Sequence, residues 1–210
     1  MLRDDSERPR GPETHRRAVD DPFAGPLPRC RPGERGYDVA QVDAFLAAVR
    51  ETLSAPPADA AEPTVAGVPV RAAVFSGAPG GYRPEAVDEL LDAAEDALAA
   101  VWRERFLRAR GAAAWAAHVE ELTAALRGRL RRPRTRRFRR PSRARTRGYS
   151  AAHVDVLCER LAGRLAGTTA LDAGELRRAV FPPAYGAAGY DEQQVDAFLD
   201  RAVQLLLALR

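Results

Sequence analysis

One frame recurs four times along the 210 residues: a Gly-Tyr pair, four residues, a Val-Asp pair, one residue, then two mostly apolar residues. It runs Gly36, Tyr37, Val42, Asp43, Phe45 and Leu46 in the first copy, and Gly81, Tyr82, Val87, Asp88, Leu90 and Leu91 in the second. The third is Gly148, Tyr149, Val154, Asp155, Leu157 and Cys158, and the fourth Gly189, Tyr190, Val195, Asp196, Phe198 and Leu199. A preamble repeats as well: Arg71-Ala72-Ala73-Val74-Phe75 matches Arg177-Arg178-Ala179-Val180-Phe181, with weaker versions at Arg17 to Phe23 and at Arg137-Phe138. A sequence that repeats at this spacing builds its fold from like units, each too small to bury a core alone.

Each copy reads as a capped helix. Asp38, Ser150 and Asp191 follow the Tyr as N-caps, and Pro84 takes the first helical position in the second copy. Gln41 and Gln194, three residues past their caps, complete a capping box, and Tyr with Val (37 with 42, 82 with 87, 149 with 154, 190 with 195) stands at the two positions of a hydrophobic staple. The preceding Gly is expected at positive φ, turning the Tyr back onto its helix. Downstream, Val42, Phe45, Leu46, Val49 and Leu53 form one helical stripe, repeated in the other copies. The stripes must face one another, within the chain or between copies of it.

The repeated aspartate has no partner on its own helix: four residues on stand Ala47, Asp92, Glu159 and Asp200. It is expected to reach outside that helix, to Arg35 or Arg147 or to preamble amides of a neighbouring unit, or else to be solvated and kept for the helix dipole.

The preamble Phe, then Arg35-Gly36-Tyr37-Asp38 followed by Val42-Asp43-Ala44-Phe45-Leu46, resembles the N-terminal domain of the bacterial DivIVA family, and the fourth copy is as close. The resemblance implies a non-enzymatic, self-associating protein of cell division or polar growth, its Gly-Tyr turns in crossed loops at the mouth of a parallel coiled-coil dimer and its loops able to touch anionic membrane. It departs from members with Phe-Arg before Gly-Tyr: here stand Glu34-Arg35, Pro79-Gly80, Thr146-Arg147 and Ala187-Ala188, so no inserting aromatic is expected, and the family's long C-terminal coiled coil is not expected either. The motif residues above are the interaction residues it implies, and the partners are the chain itself as a homo-oligomer or other DivIVA-like division proteins.

Between Arg127 and Arg147 lie 12 Arg and no acid, whereas the whole chain is only +4. Lys is absent and Ala abundant, which marks genomic codon bias in the choice of Arg, but not in its placement. With Pro133, Pro141 and Ser142 the segment reads as a flexible linker. It pairs with the acids Glu85, Asp88, Glu89, Asp92, Glu95 and Asp96, stays solvated, or binds a polyanion, nucleic acid or anionic membrane, through Arg131, Arg132, Arg134, Arg136, Arg137, Arg139 and Arg140.

The predicted architecture is all-α. A disordered tail (1–22) precedes unit 1 (23–54), a linker (55–67), unit 2 with a helical extension (68–131), the Arg-rich linker (132–147), unit 3 (148–167), and a connecting helix with unit 4 (168–210). The extension breaks near Gly111 and carries Trp102 and Trp115 as core of a helix pair, or as an exposed partner groove. No cofactor, metal or catalytic residue is expected: His15, His118 and His153 are scattered, and Cys30 and Cys158 lack metal or disulfide spacing. The charged N-terminus and the lack of a long apolar run point to a cytoplasmic protein, peripheral to the inner membrane face at most.

Overall fold

The computed structural model describes Phe23, residues 25–55, Val65, residues 69–143 and residues 145–210. The expected tail and most of the first linker lie outside the described residues, although Val65 from that linker is fully buried. In chain order the elements are β1 (Arg35–Tyr37), α1 (Val39–Ser54), a 3-10 turn (Val70–Ala72), β2 (Gly77–Pro79), α2 (Pro84–Leu130), β3 (Arg147–Ser150), α3 (Ala151–Leu165), α4 (Ala173–Arg177), β4 (Pro183–Tyr185), a second 3-10 turn (Gly186–Ala188), β5 (Gly189–Tyr190) and α5 (Glu192–Ala208).

The chain is therefore mostly helical but not all-α. The correction falls on the Gly-Tyr segments and the stretches that follow a preamble Phe, which pair as antiparallel strands: β1 with β2, and β3 between β4 and β5. Two extended segments that cross must satisfy their backbone groups on each other. Tyr37 N–H donates to the Tyr82 carbonyl and Tyr82 N–H to that of Tyr37, both at 2.9 Å, and Tyr149 lies opposite Tyr190 in the second sheet.

The motif glycines are not at positive φ, contrary to expectation; among the described residues that conformation belongs to Gly33, Gly80, Gly111, Gly167, Gly186 and Thr135. They serve the crossing instead. A Cβ on Gly36 would sit 2.1 Å from the Tyr82 carbonyl oxygen, on Gly81 2.3 Å from that of Tyr37, and on Gly148 2.2 Å from that of Tyr190.

The helix starts hold in part. Asp38 and Asp191 accept from Gln41 N–H (2.9 Å) and Gln194 N–H (3.0 Å). The capping box does not close there, because both glutamines reach across to another unit's preamble: Gln41 accepts from Ser76 N–H and Gln194 from Arg139 N–H. The cap amides follow them, Asp38 N–H donating to Ser76 O, Ser150 to Pro182 and Asp191 to Arg139, in each case the residue after a preamble Phe. Ser150 makes no side-chain cap, its hydroxyl being paired with His153 Nδ1 at 2.9 Å. Among the described residues a closed capping box is found on α4, between Asp172 and Glu175.

α1 and the start of α2 leave their crossing side by side in the same direction. Tyr82 meets Asp43 at one end, and Arg105 donates to the Leu53 and Ala55 carbonyls at the other. The break expected in α2 is at Gly111 (φ 83°, ψ 170°), where the chain folds back. Residues 102 and 115 would be about 20 Å apart on a straight helix, yet the Trp102 and Trp115 rings are 5.2 Å apart, with Phe106 and His118 against them. Trp115 is buried and Trp102 packs on the core, as expected of a helix pair.

The stripes close within the chain. Val42, Leu46, Val49, Val87, Ala94 and Leu98 share one core with Phe23, Val65 and Val70. Val154, Leu157, Cys158, Leu161, Val195, Phe198, Leu199 and Ala202 share the other with Phe138, Phe181 and the far arm of α2. The frame residues thus pair first with second and third with fourth.

Candidate functional site

The aspartates do reach outside their helices, and the group they find is a phenol. Tyr82 Oη donates to Asp43 at 3.0 Å, and Tyr37 hydrogen-bonds Asp88 in return. Tyr190 Oη lies 3.1 Å from Asp155 Oδ1, and Tyr149 bonds Asp196. Each Tyr therefore runs across the crossing onto the opposite helix, whereas the expected staple has it ending on its own. Burial, with the facing carboxylate behind it, raises all four phenols above their ordinary value. Burial likewise raises Asp88 and Asp196, with the Tyr hydrogen bonds pulling the other way.

Preamble aromatics brace these pairs. Phe75 lies 5.5 Å from Tyr37 and 5.8 Å from Phe45, Phe181 lies 5.2 Å from Tyr149, and Phe138 lies 5.1 Å from Tyr190 and 5.2 Å from Phe198. Each preamble thus packs under the Tyr of the unit it crosses.

The 132–147 segment is not a free linker but the preamble of the third unit, packed over α3 and α5. Arg137 and Phe138 are buried, and Pro141 packs beside Gly148. Asp155, 1 % exposed, gathers Thr135 N–H (2.6 Å), Arg137 Nη1 (3.1 Å) and the Tyr190 hydroxyl. A buried carboxylate persists in such a place only when it is matched by charge and hydrogen bonds together. Of the seven arginines named above for polyanion contact, Arg134 binds Glu159, Arg137 binds Asp155, and Arg140 is held by the Gly189 carbonyl and the Tyr190 ring. Arg131, Arg132, Arg136 and Arg139 are exposed.

Within the chain the tract does not pair with the six acids at the start of α2, and other bases hold Asp92, Glu95 and Asp96. Arg177, 6 % exposed at its side chain, meets Asp92 at 3.4 Å, Glu95 at 2.5 Å and Asp96 at 2.8 Å. Arg71 spans Glu95 (3.6 Å) and Asp200 (2.9 Å), and Arg210 binds Asp96. Burial raises Glu95 and Asp92 above the usual carboxylate range despite Arg177 and Arg71. Burial opposes the Arg177 charge, but its acids outweigh it and hold that guanidinium above its ordinary value.

These contacts obey a rule overlooked in the sequence. An Arg four residues before a preamble Phe (Arg71, Arg134, Arg177) pairs with an acid ten residues after a motif Tyr (Asp200, Glu159, Asp92). Both positions are empty in the first unit, which has Val19 and Ala47 there. The joint presence and joint loss of the two positions was the available signal.

The exposed large apolar residues are few, but two are equivalent: Val74 (90 %) and Val180 (89 %) occupy the same preamble position. Among the described residues no three His, Cys, Asp or Glu side chains gather as a metal-ligand set, and no helix is long and apolar enough to cross a membrane. Comparison of the chain with protein families, curated proteins and solved structures finds no match.

Proposed function

We propose that the chain is a non-enzymatic, DivIVA-like adaptor of bacterial cell division or polar growth, whose four units pair with one another inside one polypeptide. The observation that carries this reading is the paired Gly-Tyr crossing, with its reciprocal Tyr-to-Asp hydrogen bonds. It is the arrangement the sequence resemblance implies for two chains, and here one chain supplies both halves. With the stripes used internally, partners dock on surface that remains free. Val74 and Val180, raised on two equivalent preambles, are the apolar points on offer to a second copy or to another protein built from such units.

The test is localisation of a fluorescent fusion in a bacterium that grows or divides from defined sites. Polar or septal foci that disperse in the Val74→Asp/Val180→Asp variant are the expected outcome. Uniform fluorescence from the parent fusion overturns the reading, and foci that survive the double substitution overturn the valine surface.

A further inference from the structure

We propose that Arg129, Arg131, Arg132, Arg136 and Arg139 form a binding surface for the phosphodiester backbone of nucleic acid. Of the 12 arginines between residues 127 and 147, carboxylates meet Arg127, Arg134, Arg137 and Arg147, Arg140 spends both Nη groups on the Gly189 and Thr135 carbonyls, and Arg143 and Arg145 stand beyond Pro141 in the chain. In the acid row on α2, Asp92, Glu95 and Asp96 are held by Arg71, Arg177 and Arg210, and none of the row meets the rest of the tract.

Three of the five, Arg129, Arg132 and Arg139, are crowded together. Arg129 and Arg132 donate to the same Arg137 carbonyl, at 3.1 and 3.5 Å, so their guanidiniums lie side by side. Burial, and after it the charges of Arg132 and Arg139, hold Arg129 below its ordinary value. Among the described residues no carboxylate forms a salt bridge with any of the five. Like charges in such proximity repel until an anion sits between them.

The display is also fixed. Phe138 under Arg129 is buried, Thr135 N–H is tied to Asp155, and Arg139 N–H to Gln194. Clustered arginines attract anionic headgroups as well as a phosphate backbone, and the lack of a large apolar side chain to anchor them in lipid favours the backbone. In this stretch Leu130, Phe138 and Pro141 are buried and Pro133 is exposed, while the exposed large apolar side chains, Val74, Val156, Val180, Tyr185 and Leu209, belong to other segments.

The test uses the full chain and a labelled random-sequence DNA duplex, with anisotropy read from about 50 to 200 mM salt. About five phosphate contacts give a log–log salt slope near −4.5. The Arg131→Gln/Arg132→Gln/Arg136→Gln/Arg139→Gln variant reduces that slope by about 3.6, while Arg108→Gln, at an exposed pair on α2, leaves it unchanged. All four replaced side chains are exposed, and the single Arg136→Gln variant, with a slope change of about 0.9, serves if the quadruple one does not fold. No duplex binding by the parent, or equal binding by the variant, overturns the proposal. So does arginine-dependent capture by phosphatidylglycerol vesicles without duplex binding, which would make the surface a membrane contact.

Discussion

Asp43 and Asp155 occupy the same frame position in different surroundings. Asp43 is exposed and meets one phenol, whereas Asp155 is sealed among Arg137, Thr135 and Tyr190. Removing one member of a buried charge pair strands the other, at a cost of about 3–5 kcal/mol, while an exposed polar pair contributes about 1 kcal/mol or less. Asp155→Ala should therefore lower the urea unfolding free energy by about 3–5 kcal/mol and Asp43→Ala by under about 1 kcal/mol. Similar losses from both would contradict the burial difference. That these aspartates needed a partner was legible, since their own helices supply none. The partner's identity was not, because a phenol 35 or 39 residues away leaves no local spacing to read.

Strand, helix and turn show the same division. The Asp38 and Asp191 caps, the stripes and the break at Gly111 follow from local chemistry and could be read directly, whereas Gln41 and Gln194 go to distant preambles. The small sheets could not: Gly-Tyr is a poor strand signal, and its glycine is required by a carbonyl of the unit it crosses, a contact visible only when two units are placed together. Gly148→Ala forces a Cβ to 2.2 Å from the Tyr190 carbonyl oxygen and should lower the melting temperature or abolish cooperative unfolding. Gly128→Ala, in helical backbone with open space around it, should raise stability by about 0.5–1 kcal/mol. Thermal melts of the two variants moving in the same direction would refute this account of the crossings. The Arg-rich stretch was misread for a related reason: its composition is that of a linker, but Phe138 and Arg137 anchor it.

Across the whole molecule, the two unit pairs meet along a seam where Arg71 and Arg177 each reach an acid of the opposite pair. In Arg177→Ala, Asp92, Glu95 and Asp96 lose their buried base. Asp92 and Glu95 already sit above their ordinary values, and losing Arg177, which lowers them, pushes them further up. A carboxylate with a raised folded-state value contributes stability below its unfolded value and loses it as pH rises through the folded one. The variant should therefore be least stable relative to the parent at neutral pH and recover as pH falls towards the carboxylate range. Denaturation curves at several pH values showing a constant deficit would rule this out.

The reciprocal crossings have a historical consequence. In a dimer of identical subunits one codon change alters both sides of the axis at once, so the two halves cannot specialise. When both halves are written in one gene, each side mutates alone. That licence is visible in the contrast between the sealed Asp155 and its exposed counterpart across the same crossing, Asp196, and in a first unit free of the Arg and the acid that the other units carry. Joining the halves also removes dilution as a means of separating them: a partner tethered by a short segment stays at millimolar effective concentration however few copies a cell holds.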